Sequence, residues 1–162
     1  MSELVPMSIK GLMLDPVSNS PIVVLKDDSD KFFLPIWVGI FEANAIALQL
    51  ENITTPRPMT HDLLRNMISE LNAQVTRIVI NDLRESTFFA QIGLLIGGKT
   101  LELDARPSDA IALALRTEAP IFVAQSVLEQ AQTIAPEGDE PDEKMKKWFE
   151  GLGPEDLGKY KM

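Results

Sequence analysis

The stretch Thr87–Ile96, TFFAQIGLLI, alternates cleanly, with Phe88, Ala90, Ile92, Leu94 and Ile96 on one face. It runs into Gly97-Gly98, the composition of a tight hairpin turn, and then into a further extended run, Thr100–Ala105. Val75–Leu83 before it also reads as a strand. Three consecutive strands joined by short turns make an antiparallel sheet. An apolar face on the middle strand needs a second layer to cover it. On the last strand Leu101, Leu103 and Ala105 are expected to face the core, with Thr100, Glu102 and Asp104 pointing the other way.

The N-terminal third supplies more strands. Residues 4–14 and 21–27 are β-rich and separated by a Pro/Asn/Ser turn. Phe32–Val38 follows as a third strand of a meander. Helical runs are expected at Gly39–Glu51, at His61–Leu71 capped by Thr60, and at Asp109–Arg116 capped by Ser108. In the second, Leu63, Leu64, Met67, Ile68 and Leu71 recur at helical spacing. The third is apolar nearly all round and is expected to be buried on most sides. A short strand at Pro120–Val123 and a short helix from Ser126 to Gln132 complete the body.

The fold class that follows is α+β: one compact domain of mostly antiparallel or mixed β-sheet with three to four packed helices. Its limits are residues 1–132. Residues 133–162 read as a linker and a short amphipathic helical tail carrying Trp148, Phe149 and Leu152.

Length and charge bound the function. A chain of 162 residues suits one domain with a real core. No apolar run reaches membrane-spanning length, and the N-terminus lacks the pattern of a signal peptide. There is no cysteine, which excludes disulfides and thiolate metal sites and fits a reducing compartment; a cytoplasmic protein is expected, with no membrane partner. The net charge is −9, and residues 1–132 alone carry ten basic and sixteen acidic side chains. Tight nonspecific binding to nucleic acid is therefore not expected. A local basic patch, or a cation bridging acid to phosphate, stays open.

Chemistry concentrates at two joints. In LELDARPSDAIALALR, Asp104 ends a strand, Arg106 precedes Pro107, and Ser108 and Asp109 lie at a helix start. An Asp–Arg–Asp cluster there can simply satisfy itself as a clamp. Alternatively, Asp104 and Asp109 can hold a divalent cation such as Mg²⁺ or Mn²⁺ while Arg106 grips a phosphate. The second joint, PRPMTHDL, offers Arg57, Thr60, His61 and Asp62. His61 is the only histidine, a candidate general acid or base, although a lone histidine is more often structural. Glu42, near the start of the first helix, is a candidate for the same cleft and for the metal. No Walker loop, G-x-G-x-x-G, G-x-S-x-G or zinc-type histidine spacing is present.

Taken together, PIWVG at 35–39, Glu42-Ala43, RPMTHD at 57–62, DARPSDAIAL at 104–113 and APIF at 119–122 resemble the bifunctional nuclease family. The resemblance covers about residues 5 to 132. It implies a compact α+β domain that tends to form homodimers. It also implies cleavage of DNA and RNA, with nucleic acid a transient substrate. By motif it carries over Glu42, Arg57, His61, Asp62, Asp104, Arg106, Ser108 and Asp109. On this reading His61, Asp62, Asp104 and Asp109 are catalytic. Arg57, Arg106 and Ser108 bind substrate, and Glu42, Asp104 and Asp109 hold the metal. The competing expectation is a non-catalytic dimeric binding or regulatory module whose Arg-Pro joints are structural clamps; a small-molecule hydrolase is a third.

Overall fold

The computed structural model describes residues 3–131, which form a seven-stranded mixed sheet and four helices. In chain order these are β1 (Leu4–Leu14), β2 (Pro21–Asp27), β3 (Phe33–Trp37), α1 (Ile40–Leu50), α2 (Thr60–Glu70), β4 (Ala73–Arg84), β5 (Thr87–Ile96), β6 (Lys99–Ala105), α3 (Pro107–Thr117), β7 (Ile121–Ala124) and α4 (Gln125–Gln130). The sheet order is β3-β2-β1-β7-β4-β5-β6. Every neighbouring pair is antiparallel except β4 and β7. The expected α+β class holds. The tail calls at Trp148, Phe149 and Leu152 lie outside the described residues.

Two hairpin-built halves are joined by β7. The meander β1-β2-β3 and the meander β4-β5-β6 each follow local turn chemistry. At Gly97 and Gly98 the backbone has φ of 55° and 78°, the left-handed values that a two-residue hairpin requires and glycine adopts without strain. The short strand β7 then inserts between β1 and β4, antiparallel to the first and parallel to the second.

Helix α3 is the central helix. It packs against β4 and β5 and against both α1 and α2. Ala110 to Ala114 are all buried, so the all-round apolar run AIALA is explained by contact on several sides. Burial of each large side chain here, such as Ile111 or Leu113, contributes about 1.5–3 kcal/mol. The helix layer rests on Ile78, Ile80, Ala90 and Ile92 of the sheet.

Both helix starts differ from expectation by one or two residues. Helix α3 begins at Pro107, with Arg106 at the N-cap in extended conformation and no side-chain cap hydrogen bond. Proline at the first helical position needs no N–H partner and presets φ, so it opens the helix ahead of Ser108. Ser108 is therefore inside the helix and not its cap. Likewise α2 starts at Thr60, with Met59 at the N-cap. Its orphan N–H group is satisfied by Asp62 Oδ2 at 2.9 Å, three residues on.

The largest departure concerns coverage. Leu101 and Leu103 do sit on the face they were expected to share with their cross-strand partners Leu94 and Ile92. Among the described residues no element covers them, and they are 44% and 47% exposed. The helix layer reaches β4 and β5 through α3 but stops short of β6. On α2, Leu63, Leu64, Met67 and Leu71 are exposed too, and only His61 of that helix is buried. The helical spacing of these leucines is real, yet it describes an outward stripe.

Candidate active site at the α2–α3 joint

The two joints meet. Arg106 is held extended by the following proline, and its guanidinium turns back over the first turn of α3. Nε donates to Asp109 Oδ2 at 2.8 Å and Nη2 donates to Glu42 Oε1 at 2.7 Å. The other oxygen of Asp109, Oδ1, lies 2.9 Å from His61 Nε2. Glu42, Arg106, Asp109 and His61 thus form one chain across α1, α3 and α2.

Protonation follows from the partners. Burial works to raise the Asp109 pKa, but hydrogen bonds from Arg106 and His61 outweigh it and hold the carboxyl below the ordinary value. The hydrogen bonds of Asp109, then of Glu42, push the Arg106 pKa up. An ionised carboxylate only accepts, so His61 Nε2 is the donor to Asp109, an arrangement that in the neutral ring leaves the lone pair on Nδ1. An aspartate holding one imidazole nitrogen so that the other can take a proton is the arrangement of a general base.

Glu42 depends on its neighbour for room. A Cβ on Gly39 would collide with Glu42 Oε2. The glycine backbone is ordinary here, at φ −72°. Space, not conformation, is what this position supplies.

A cleft of about 620 Å³ opens beside the chain. α1 lines it with Phe41, Glu42, Asn44, Ala45 and Leu48, and α2 with Met59, Thr60, His61 and Leu64. Ile92, Asp104 and Ala105 close it from the sheet. The Asp104 side chain is exposed and has no hydrogen bond or ion pair among the described residues.

Other sequence candidates sit elsewhere. Ser108 is buried and lines a neighbouring depression with Gly39 and Arg106. Arg57 is exposed on the loop before α2 and is not among the residues lining the cleft. Asp62 faces away from Asp109 in its bonding: Oδ1 accepts from Arg116 Nε at 2.7 Å and Oδ2 from the Met59 N–H. Burial works to raise its pKa, but Met59 and Arg116 together hold it low.

Arg116 is the residue that motif reading passed over. Its side chain is 2% exposed. Beyond Asp62, it donates to Ala112 O and Ala45 O, both at 3.0 Å. It therefore ties α1, α2 and α3 together. The signal was an arginine ending an all-apolar helix, a charge that burial obliges to find a carboxylate. By contrast the Arg106 side chain is 66% exposed. Exposed ion pairs contribute only about 0–1 kcal/mol, so the Arg106 joint adds little to stability.

The three expected metal ligands do not make an all-protein cage. Both Asp109 oxygens are engaged by Arg106 and His61, and Glu42 Oε1 is engaged by Arg106. Among the described residues no group of three or more His, Cys, Asp or Glu side chains is placed to hold a metal ion. The carboxylate oxygens left without a partner among the described residues are those of Asp104, on β6, and Glu42 Oε2, which lies against Gly39. That suits only the Mg²⁺ type of site, in which one or two carboxylates are completed by water and phosphate oxygens.

The chain is similar to several known proteins. An uncharacterized protein of Mycobacterium tuberculosis is 35% identical over 159 residues, covering 92% of this chain and 95% of the relative. Bifunctional nuclease 1 of Arabidopsis thaliana is 30% identical over 118 residues, which is 70% of this chain but 36% of the plant protein. Bifunctional nuclease 2 of Oryza sativa subsp. japonica is 29% identical over 122 residues, 73% of this chain and 38% of its own length. The bifunctional nuclease domain model matches residues 23–136, a span that holds Glu42, His61, Arg106 and Asp109 together with the cleft they border. With most of the chain matched and the motif residues gathered at one place, the protein belongs to the bifunctional nuclease domain family.

Proposed function

We propose that the cleft is a nuclease active site, hydrolysing phosphodiester bonds of DNA, RNA or both. The observation that carries this is the Glu42–Arg106–Asp109–His61 chain at the edge of a cleft, within a bifunctional nuclease domain. His61 Nδ1 would take the proton of an attacking water, and Asp109 would orient the ring and offset the charge that forms. Arg106 has guanidinium N–H groups beyond those bound to Glu42 and Asp109, and its exposure lets them meet a phosphate. Arg57 would add a more distant phosphate contact. A Mg²⁺ or Mn²⁺ would be held by Asp104 and Glu42 Oε2; when bound it would neutralise phosphate charge and activate water.

The test is an assay of purified protein on labelled single- and double-stranded DNA and RNA, with Mg²⁺, Mn²⁺ or EDTA, beside Asp104→Asn. Cleavage that needs the metal and drops at least tenfold in Asp104→Asn is expected. No cleavage by the wild type under any condition would leave the binding-module reading, in which the cleft holds a ligand without reaction.

We also propose a homodimer, with the second copy seated over the exposed Leu101 and Leu103 of β6 and Leu63 and Met67 of α2, and with Leu64 left to the cleft. Among the described residues β6 ends the sheet, so it offers a strand edge beside that apolar surface. Light scattering after size exclusion should give twice the chain mass of 18.0 kDa, and Leu103→Lys should give the monomer. A wild type that elutes as a monomer at micromolar concentration would rule the dimer out.

A further inference from the structure

We infer that the cleft takes an unpaired nucleobase, stacked on Phe41 and met at its edge by the Asn44 amide. The inference rests on the nuclease reading of the same cleft and names its substrate as single-stranded. Three observations lead to it. First, Phe41, Asn44, Ala45 and Leu48 are spaced i, i+3, i+4 and i+7 on α1, which puts them in one stripe along the cleft. Phe41 is 84% exposed, a bare aromatic face at the rim. Second, the Asn44 side-chain oxygen is buried and has no hydrogen-bond partner. Buried amide groups are nearly always partnered, and Asn44 lines the cleft, so a turn of its side chain would bring the unpartnered oxygen to a donor carried by a ligand. Third, Leu48, Leu64 and Ile92 give the cleft apolar walls.

A flat ring with hydrogen-bonding edges is the chemistry that uses all three. Its faces lie against Phe41 and the apolar walls, and an exocyclic or ring N–H donates to Asn44. In a duplex, those faces are stacked and those edges paired, so neither residue is reached without extruding the base. Duplex grip also relies on many phosphate contacts, and residues 1–132 carry sixteen acidic against ten basic side chains. Stacking on an aromatic ring tolerates any base, because every base has a flat face.

The experiment separates binding from cleavage. Fluorescence anisotropy of a labelled single-stranded DNA octamer, and of the same sequence as a blunt duplex, is measured in EDTA with the probe checked intact afterwards. The wild type should bind the single strand at least tenfold more tightly. Phe41→Ala should weaken that binding by roughly fivefold to a hundredfold, the range seen for loss of one base stack. Phe41→Trp should restore it, and Asn44→Leu should weaken it in a folded protein. Equal binding of duplex, an unchanged Phe41→Ala, or no binding by the wild type would each overturn the proposal. Binding that depends on Phe41, without cleavage in any metal, would sink the nuclease reading alone. Cleavage that ignores Phe41→Ala would sink the base site alone.

Discussion

Arg116→Met should lower stability by about 3–5 kcal/mol, the cost of removing one partner from a buried charge pair. For a chain of 162 residues this corresponds to a fall in melting temperature of roughly 10 °C or more. The change keeps much of the side-chain volume but strands Asp62 and two backbone carbonyls, Ala45 O and Ala112 O, that the guanidinium now satisfies. Arg106→Gln is the control. Its two ion pairs are exposed, so its melting temperature should stay within a few degrees of wild type. Calorimetry of the two variants side by side decides the matter; equal losses would mean the Arg106 joint is a clamp after all. The same carboxylates set an acid limit. Asp27, Asp62 and Asp109 all have pKa values below the ordinary 3.8 in the folded protein. An unfolded carboxyl titrates near 3.8, so their contribution is complete above that pH and is lost as pH falls through the lower folded values. Thermal melts should therefore weaken as pH drops below about 4.

The contrast between the two arginines shows what could be read from the chain. β5 and its hairpin were legible because alternation and Gly97-Gly98 are local signals. The boundaries of β1, β2 and β5 follow for the same reason. The place of β7 was not, because its insertion between β1 and β4 is a pairing of distant segments with no local mark. Helix α2 carried a correct periodicity that did not say which side its stripe faces. At the site, Glu42, His61, Arg106 and Asp109 were legible as chemistry, and the structure brings them into one hydrogen-bonded chain. Asp62 looked equivalent to its neighbour His61, yet its bonds go to Arg116, 54 residues on. Phe41 and Asn44 were passed over because an exposed phenylalanine and an unpartnered amide become informative only once a cleft lies beside them.

Asp109→Asn should cost at least a hundredfold in nuclease kcat with little loss of fold, since general base catalysis contributes about 10²–10⁴-fold. An amide in place of the carboxylate can still bond to one neighbour. It cannot accept from both His61 and Arg106 without turning an NH₂ toward one of them. If the amide NH₂ faces His61, it favours a proton on Nδ1, and the base is lost through the wrong tautomer. The loss should fall on kcat more than on KM, because the substituted group holds the base and does not itself contact substrate. Gly39→Ala reaches the same chain from its other end. The new methyl displaces the flexible end of Glu42, frees Arg106 on one side, and should raise KM severalfold while the melting temperature is kept. If Asp109→Asn cleaves at the wild-type rate while remaining folded, the His61–Asp109 pair is structural and the reaction lies elsewhere. If Gly39→Ala alone is silent, Arg106 holds phosphate without help from Glu42 and Glu42 Oε2 is not a metal ligand.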